Sequence, residues 1–181
     1  MINFFIKLTL ALALIMFSGI ADAMEVTAVN NFTVSRYLGN WYEIARLPNR
    51  FQNKCLPPIR ASYSVDPMDT NHITVENICN TKDHHLHSIT GVAYFVESNN
   101  EAKLKVTFVP KILRWLQLGY GDYWVLYTDY DKVAVVGSPN REYLWILARA
   151  PNLSHEDLLA AIDIAKKQGF DSSKLIYNYP G

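Results

Sequence analysis

Tyr37-Leu38-Gly39-Asn40-Trp41-Tyr42-Glu43-Ile44-Ala45-Arg46 is the stretch whose reading decides the fold. Gly39 can take backbone angles closed to other residues, which suits a turn entering a strand. Trp41 follows two positions on, bringing a large apolar ring and one N–H that needs an acceptor. A Gly-x-Trp turn feeding a strand reads as a plug: the chain bends, and the indole closes one end of something hollow. The motif is short, so the rest of the chain decides its meaning.

Beyond it, short β-rich runs recur, each bounded by turn residues. The first strand spans 41–47, followed by a loop at 48–54 and the stiff Pro57-Pro58 pair. Strands follow at 59–65, 72–79, 87–96, 103–109, 122–128, 132–136 and 142–149. Turns fall at Asp66-Pro67-Met68-Asp69-Thr70-Asn71, Glu97-Ser98-Asn99-Asn100, Asp129-Tyr130-Asp131 and Gly137-Ser138-Pro139-Asn140. Those tight connections suit antiparallel neighbours. The period then changes. Ser154 with Asp157 approximates a capping box, and Leu158, Leu159, Ile162 and Ala165 recur at helical spacing before Gly169 stops the helix. A tail with one short strand, 174–177, ends the chain. The expected fold is all-β: eight antiparallel strands, up and down, closed into a barrel with one C-terminal helix packed outside.

Strand alternation assigns the faces. Lys103, Lys105 and Thr107 are expected to face water, leaving Leu104, Val106 and Phe108 inside. Ile59, Ala61, Tyr63 and Val65 form another inward set, as do Ile73, Val75 and Asn77; Gly91, Ala93 and Phe95; Tyr123, Val125 and Tyr127; and Tyr143, Trp145 and Leu147. The list mixes small residues with polar-tipped aromatics. A solid core favours dense Leu and Ile, whereas this mixture suits a cavity apolar below and wettable at its mouth. An eight-stranded barrel is wide enough for side chains to fill it or for one small ligand, and a filled barrel is the competing reading. The expected ligand contacts are Ala61, Tyr63, Val75, Asn77, Val106, Phe108, Tyr123, Val125, Tyr143 and Trp145. No lysine or arginine is expected to point inward above the floor.

Composition narrows the field. Lysine plus arginine equals aspartate plus glutamate at 17 each, so no basic face offers itself to nucleic acid. Residues 1–23 read as a signal peptide: Lys7 is the one positive charge before an apolar run at 8–17 too short to span a bilayer, and Ala21-Asp22-Ala23 offers the small residues of a cleavage site. A retained N-terminal anchor is the alternative. Residues 24–181 are then the barrel domain. No cysteine stands near the cut to carry a lipid, which favours a periplasmic or secreted soluble form, with outer-membrane association left open. The two cysteines, Cys55 and Cys79, fall toward opposite positions of one hairpin, so export permits a disulfide; two unpaired thiols are the alternative. Asn31-Phe32-Thr33 matches a glycosylation acceptor, which matters only in a eukaryotic secretory pathway.

Three motifs together resemble the lipocalin family, closest to its bacterial and apolipoprotein D branch. Gly39-Asn40-Trp41-Tyr42 resembles the first signature, Thr128-Asp129-Tyr130 the second, and Arg149, ending Leu144-Trp145-Ile146-Leu147-Ala148-Arg149, the third. The resemblance spans roughly residues 32–181. It implies that Arg149 packs over Trp41 and closes the barrel floor, through cation–π contact and a charge that satisfies backbone carbonyls. It also implies binding or carrying of lipids such as fatty acids or lysophospholipids. A long tail would dominate the affinity at roughly 0.8 kcal/mol per buried CH₂.

Other constellations carry less. His84, His85 and His87 cluster, but only His85 and His87 share a strand face; a hairpin tip in solvent competes with a metal site. No nucleophile elbow or phosphate loop occurs, and no cofactor or metal is expected. Glu43 shares parity with Trp41, and a carboxylate there is expected to pair with a neighbour such as Arg149 or a tyrosine, with catalysis the alternative. In the 110–120 loop, Ile112, Leu113 and Trp115 beside Lys111 and Arg114 read either as a lid or as a contact with a membrane surface. The competing classes are therefore a lipid carrier without catalysis, monomeric or homodimeric, a lipid-modifying enzyme on the same barrel, and an interaction module using this loop. A free, cavity-facing Cys79 would favour the enzyme.

Overall fold

The computed structural model describes residues 24–66, 69–96, 101–116 and 119–178. The expected leader at 1–23, Pro67-Met68 and the 97–100 turn lie outside the described residues.

The strands are β1 (Gly39–Arg46), β2 (Leu56–Asp66), β3 (Asp69–Asn80), β4 (Leu86–Phe95), β5 (Lys103–Thr107), β6 (Tyr120–Thr128), β7 (Val133–Gly137) and β8 (Leu144–Ala148). Each pairs antiparallel with the next, and β1 closes the ring by pairing with both β8 and β2. The eight-stranded up-and-down barrel is as expected. A two-residue β9 (Ile176–Tyr177) adds to β1 at Ala45 and Arg46, above the point where β2 leaves it.

Two elements around this ring set its ends. A one-turn helix, α1 (Val34–Tyr37), precedes β1 and lies across the floor; four residues are too few to show a helical period. Gly39 then turns the chain at φ +92°. The C-terminal helix α2 (His155–Lys167) begins at Ser154, whose hydroxyl oxygen accepts from the Asp157 N–H at 3.1 Å. Its buried stripe is Leu158, Ala161, Ile162 and Ala165. Leu159, expected on that stripe, is exposed, because the helix meets the barrel one position round from the side its leucines suggest.

Apolar burial divides into two clusters. One lies between α2 and the outer wall: Ile44, Leu126, Val133, Val135, Leu144 and Ile146 meet Leu158, Ile162 and Phe170. The other lies inside the ring: Trp41, Tyr63, Ile73, Val75, Ala93, Leu104, Val125, Val136 and Leu147, with Phe32 and Tyr37 beneath. Three expected faces differ. Tyr127 is exposed because a bulge between Val125 and Tyr127 breaks the alternation and pairs Tyr127 with Val135, so it joins Leu126, already outward under α2, on the outer face. Val65 is exposed, past the level where β1 supplies a partner at Gly39. Thr107, expected in water, is fully buried, and its hydroxyl accepts from the Val109 N–H as the chain turns back over it.

Candidate functional site

The floor is built first. Trp41 is fully buried, and its indole N–H donates to the Tyr37 carbonyl at 2.8 Å. The Arg149 guanidinium stands 3.8 Å from the Trp41 ring centroid. It donates to four carbonyls: Tyr130 at 2.9 Å, Leu38 at 2.9 Å, Asn40 at 3.0 Å and Arg36 at 2.6 Å. One planar fork thus ties β8 to α1, β1 and the β6–β7 turn, and it takes up carbonyls left unpaired at the end of α1.

Thr128 and Asp129 shape that turn. The Asp129 carboxylate accepts from the N–H groups of Asp131, Lys132 and Val133, and the Thr128 hydroxyl oxygen from that of Tyr130. Tyr130, at φ +68°, is thereby presented to Arg149, and its own hydroxyl accepts from the Thr33 N–H at 3.0 Å. The barrel-closing residues Gly39, Trp41, Thr128, Asp129, Tyr130 and Arg149 converge here. Tyr37, Tyr63 and Tyr123 sit just inside, their hydroxyls joined in a row by two 2.8 Å hydrogen bonds through Tyr123.

Above this packed half, the barrel is hollow. A cavity of about 520 Å³ opens between the strands. Its wall is Ile59, Ala61 and Tyr63 of β2, Asn77 and Cys79 of β3, Ile89 of β4, Val106 of β5, Phe108 beyond it, and Tyr143, Trp145 and Leu147 at β8. Gly91 makes room in this wall: a Cβ there would stand 2.5 Å from the Thr107 carbonyl oxygen and 2.7 Å from the Phe108 ring.

Of the ten residues expected to contact ligand, Ala61, Tyr63, Asn77, Val106, Phe108, Tyr143 and Trp145 line the cavity. Val75, Tyr123 and Val125 point inward but lie in the packed half below it. Alternation assigns a face but not a height along the barrel axis. Two cations border the cavity at its edge, Arg50 on the β1–β2 loop and Arg60 on β2, as does His87. His84 instead sits in the β3–β4 turn at φ +58°.

Glu43 also lines the cavity, but its partners are not those expected. Its carboxylate accepts from the side-chain amides of Gln52 and Asn178 and pairs with Arg46 at 3.1 Å, while Arg149 is engaged at the floor. Burial pushes its pKa up to about 7, against the opposing pull of these donors and of Arg46. Gln52 in turn accepts from the Trp145 indole N–H at 3.1 Å and from the Asn49 amide at 2.8 Å. Gln52, Asn178 and this clasp were missed, because nothing local in the sequence joins positions 43, 52 and 178. The loop's far end is fixed by a disulfide, Cys55–Cys79, with Cα atoms 5.4 Å apart.

The rim is apolar. Phe51, Leu86, Ile112 and Trp115 are exposed to 63%, 73%, 80% and 77%, on loops and strand ends at the open end. The 110–120 loop is a 3₁₀ segment over 111–116, with Leu113 and Leu116 also exposed; Leu118 lies outside the described residues.

A closed antiparallel barrel, packed below and open to an apolar cavity above, defines a small-ligand-binding calyx. The chain belongs to the lipocalin family: the lipocalin-like domain matches residues 32–180. It is similar to temperature-induced lipocalin-1 of Arabidopsis thaliana, 41% identical over 85% of this chain and 82% of that protein. It is likewise similar to the outer membrane lipoprotein Blc of Escherichia coli, at 39% over 84% of this chain and 81% of that one. Apolipoprotein D of Mus musculus is 33% identical over 80% of this chain and 75% of its own. Among solved structures, insecticyanin from Manduca sexta superposes with a TM-score of 0.67 at 23% identity, covering 88% of this chain and 86% of that one. Members of the family bind small hydrophobic ligands, and this chain has the cavity for one.

Proposed function

We propose that this protein binds and stores or transports a fatty acid or lysophospholipid, without catalysing a reaction on it, as part of lipid handling in a cell envelope. The observation that carries this reading is the half-filled barrel: a cavity of about 520 Å³ walled by Ile59, Ala61, Val106, Phe108 and Trp145. An acyl tail fits such a wall, each buried CH₂ contributing roughly 0.8 kcal/mol. The polar head stays at the mouth, where Arg50 offers positive charge and His87 a hydrogen-bonding ring nitrogen. With Cys79 held in a disulfide, the thiol that would favour an enzyme is taken. Export to a periplasmic or secreted location fits the leader-like residues 1–23 and an oxidised cysteine pair.

Native mass spectrometry of protein purified from its own host, followed by lipid extraction, tests the reading. A bound acyl lipid in the mass spectrum is the expected result. Protein that carries no lipid and takes up none from mixed fatty acid and lysophospholipid micelles would refute it.

The rim favours a second, compatible reading, contact with a membrane surface through Ile112, Leu113 and Trp115. These side chains are exposed beside Lys111 and Arg114, the arrangement of an interfacial anchor at the end where ligand would enter. Trp115→Asp is expected to reduce flotation with anionic liposomes; unchanged flotation rules the contact out.

A further inference from the structure

The three tyrosines of the floor hold more hydrogen-bond donors than the chain gives acceptors for. Their hydroxyls form a row, Tyr37 to Tyr123 at 2.8 Å and Tyr123 to Tyr63 at 2.8 Å. Three hydroxyls carry three protons, and two bonds use two of them. All three groups stay protonated, because burial raises each pKa, that of Tyr63 to about 12. One O–H is therefore left over in this part-buried row, and a donor left without an acceptor there is costly.

The surroundings decide where it goes. Phe32, Ile73, Ala93 and Leu104 line the small gap shared by the three rings, and none has a side-chain acceptor. Tyr63 is the one member of the row that also lines the main cavity. If Tyr37 donates to Tyr123 and Tyr123 to Tyr63, the third proton is left on Tyr63, the residue of the row that borders that cavity. The two other orderings leave it at Tyr37 or Tyr123, against hydrocarbon.

We propose that the Tyr63 hydroxyl, backed by Tyr123 and Tyr37, is a deep subsite for an uncharged oxygen at the buried end of an otherwise apolar ligand, a terminal hydroxyl or ketone. The proposal rests on the carrier reading above. The oxygen is uncharged because the row lies among Phe32, Ile73, Ala93 and Leu104, where a carboxylate would lose its hydration with no cation lining the gap in return. An acidic head therefore stays at the mouth, and the far end of the chain meets Tyr63. The ligand class is a two-ended amphiphile, charged outside and bearing a neutral oxygen within.

The test compares lauric, myristic and palmitic acids with their ω-hydroxy analogues, by titration calorimetry on wild-type protein and on Tyr63→Phe. For the chain length that reaches the floor, Tyr63→Phe is expected to weaken the ω-hydroxy acid at least about fivefold relative to the plain acid. The ω-hydroxy to plain ratio within each protein separates loss of the hydroxyl contact from any general change in the cavity that Tyr63 helps to line. Tyr123→Phe, which breaks the row behind Tyr63, is expected to give a smaller loss of the same sign. Plain acids that bind with the same ω-hydroxy to plain ratio in wild type and Tyr63→Phe, at all three lengths, would overturn the subsite alone. Failure of every plain acid to bind would overturn the carrier reading and the subsite with it.

Discussion

Replacing Arg149 by Met keeps most of the side chain's volume and removes its charge and donors. In the native barrel the guanidinium donates to four carbonyls and covers the Trp41 ring at 3.8 Å. The bonds to Asn40 and Arg36 are exposed, so water replaces them at little cost. Those to Tyr130 and Leu38 are partly buried, and their loss costs about 1–1.5 kcal/mol each. Loss of the cation–π contact adds about 1 kcal/mol. The expected destabilisation is therefore about 3–4 kcal/mol. With a urea m-value of about 2 kcal/mol/M for a domain of this size, the unfolding midpoint falls by roughly 1.5–2 M. Tryptophan fluorescence during urea unfolding reads it. Arg149→Lys keeps the charge over Trp41 but loses the planar fork, so it is expected to recover less than half of the loss. A midpoint shift under about 0.5 M for Arg149→Met would refute the reasoning. Full recovery by Lys would show that charge, not the fork, closes the floor.

Three further outcomes follow from the same geometry. Glu43 has a folded-state pKa of about 7, above its ordinary 4.5, so the native state holds its proton more tightly than the unfolded chain does. Stability is thus expected to fall as pH rises from about 4.5 through 7, by up to about 3 kcal/mol, and Glu43→Gln should flatten that fall in denaturation midpoints measured between pH 5 and 8. Ala61→Trp places an indole in the hollow half of the barrel and is expected to abolish acyl-chain uptake, measured by displacement of a fluorescent fatty acid, while the thermal midpoint holds within a few degrees. Reducing Cys55–Cys79, which closes a loop of sequence separation 24, is expected to cost about 3–4 kcal/mol in urea unfolding with and without reductant.

How much of this was legible in the sequence depends on range. Trp41, Thr128-Asp129-Tyr130 and Arg149 lie far apart along the chain, yet each carries a local signature, and the strands between them alternate cleanly. The barrel and its closure follow from that, and the hairpin placing of Cys55 and Cys79 made a disulfide feasible without deciding it. A period of two cannot give height along the barrel, so Val75, Tyr123 and Val125 were expected at the ligand though they belong to the packed floor. One bulge was enough to misplace Tyr127. In β7, Val133 to Gly137 is apolar on both faces, one under α2 and one over the floor, so alternation had no contrast to show. The clasp on Glu43 joins a β1 carboxyl, a loop amide and a C-terminal amide, and no spacing rule links the three. The tyrosine row needed Tyr37, which sits on a helix too short to register in the pattern.

The central claim is that an acyl tail occupies the open half of the ring. Crystals grown with an ω-brominated fatty acid would locate the chain's far end by anomalous scattering. The account predicts a bromine peak inside the barrel, above Trp41 and between Ala61, Val106 and Phe108. A peak found only on the outer surface, with the interior occupied by ordered water, would contradict it.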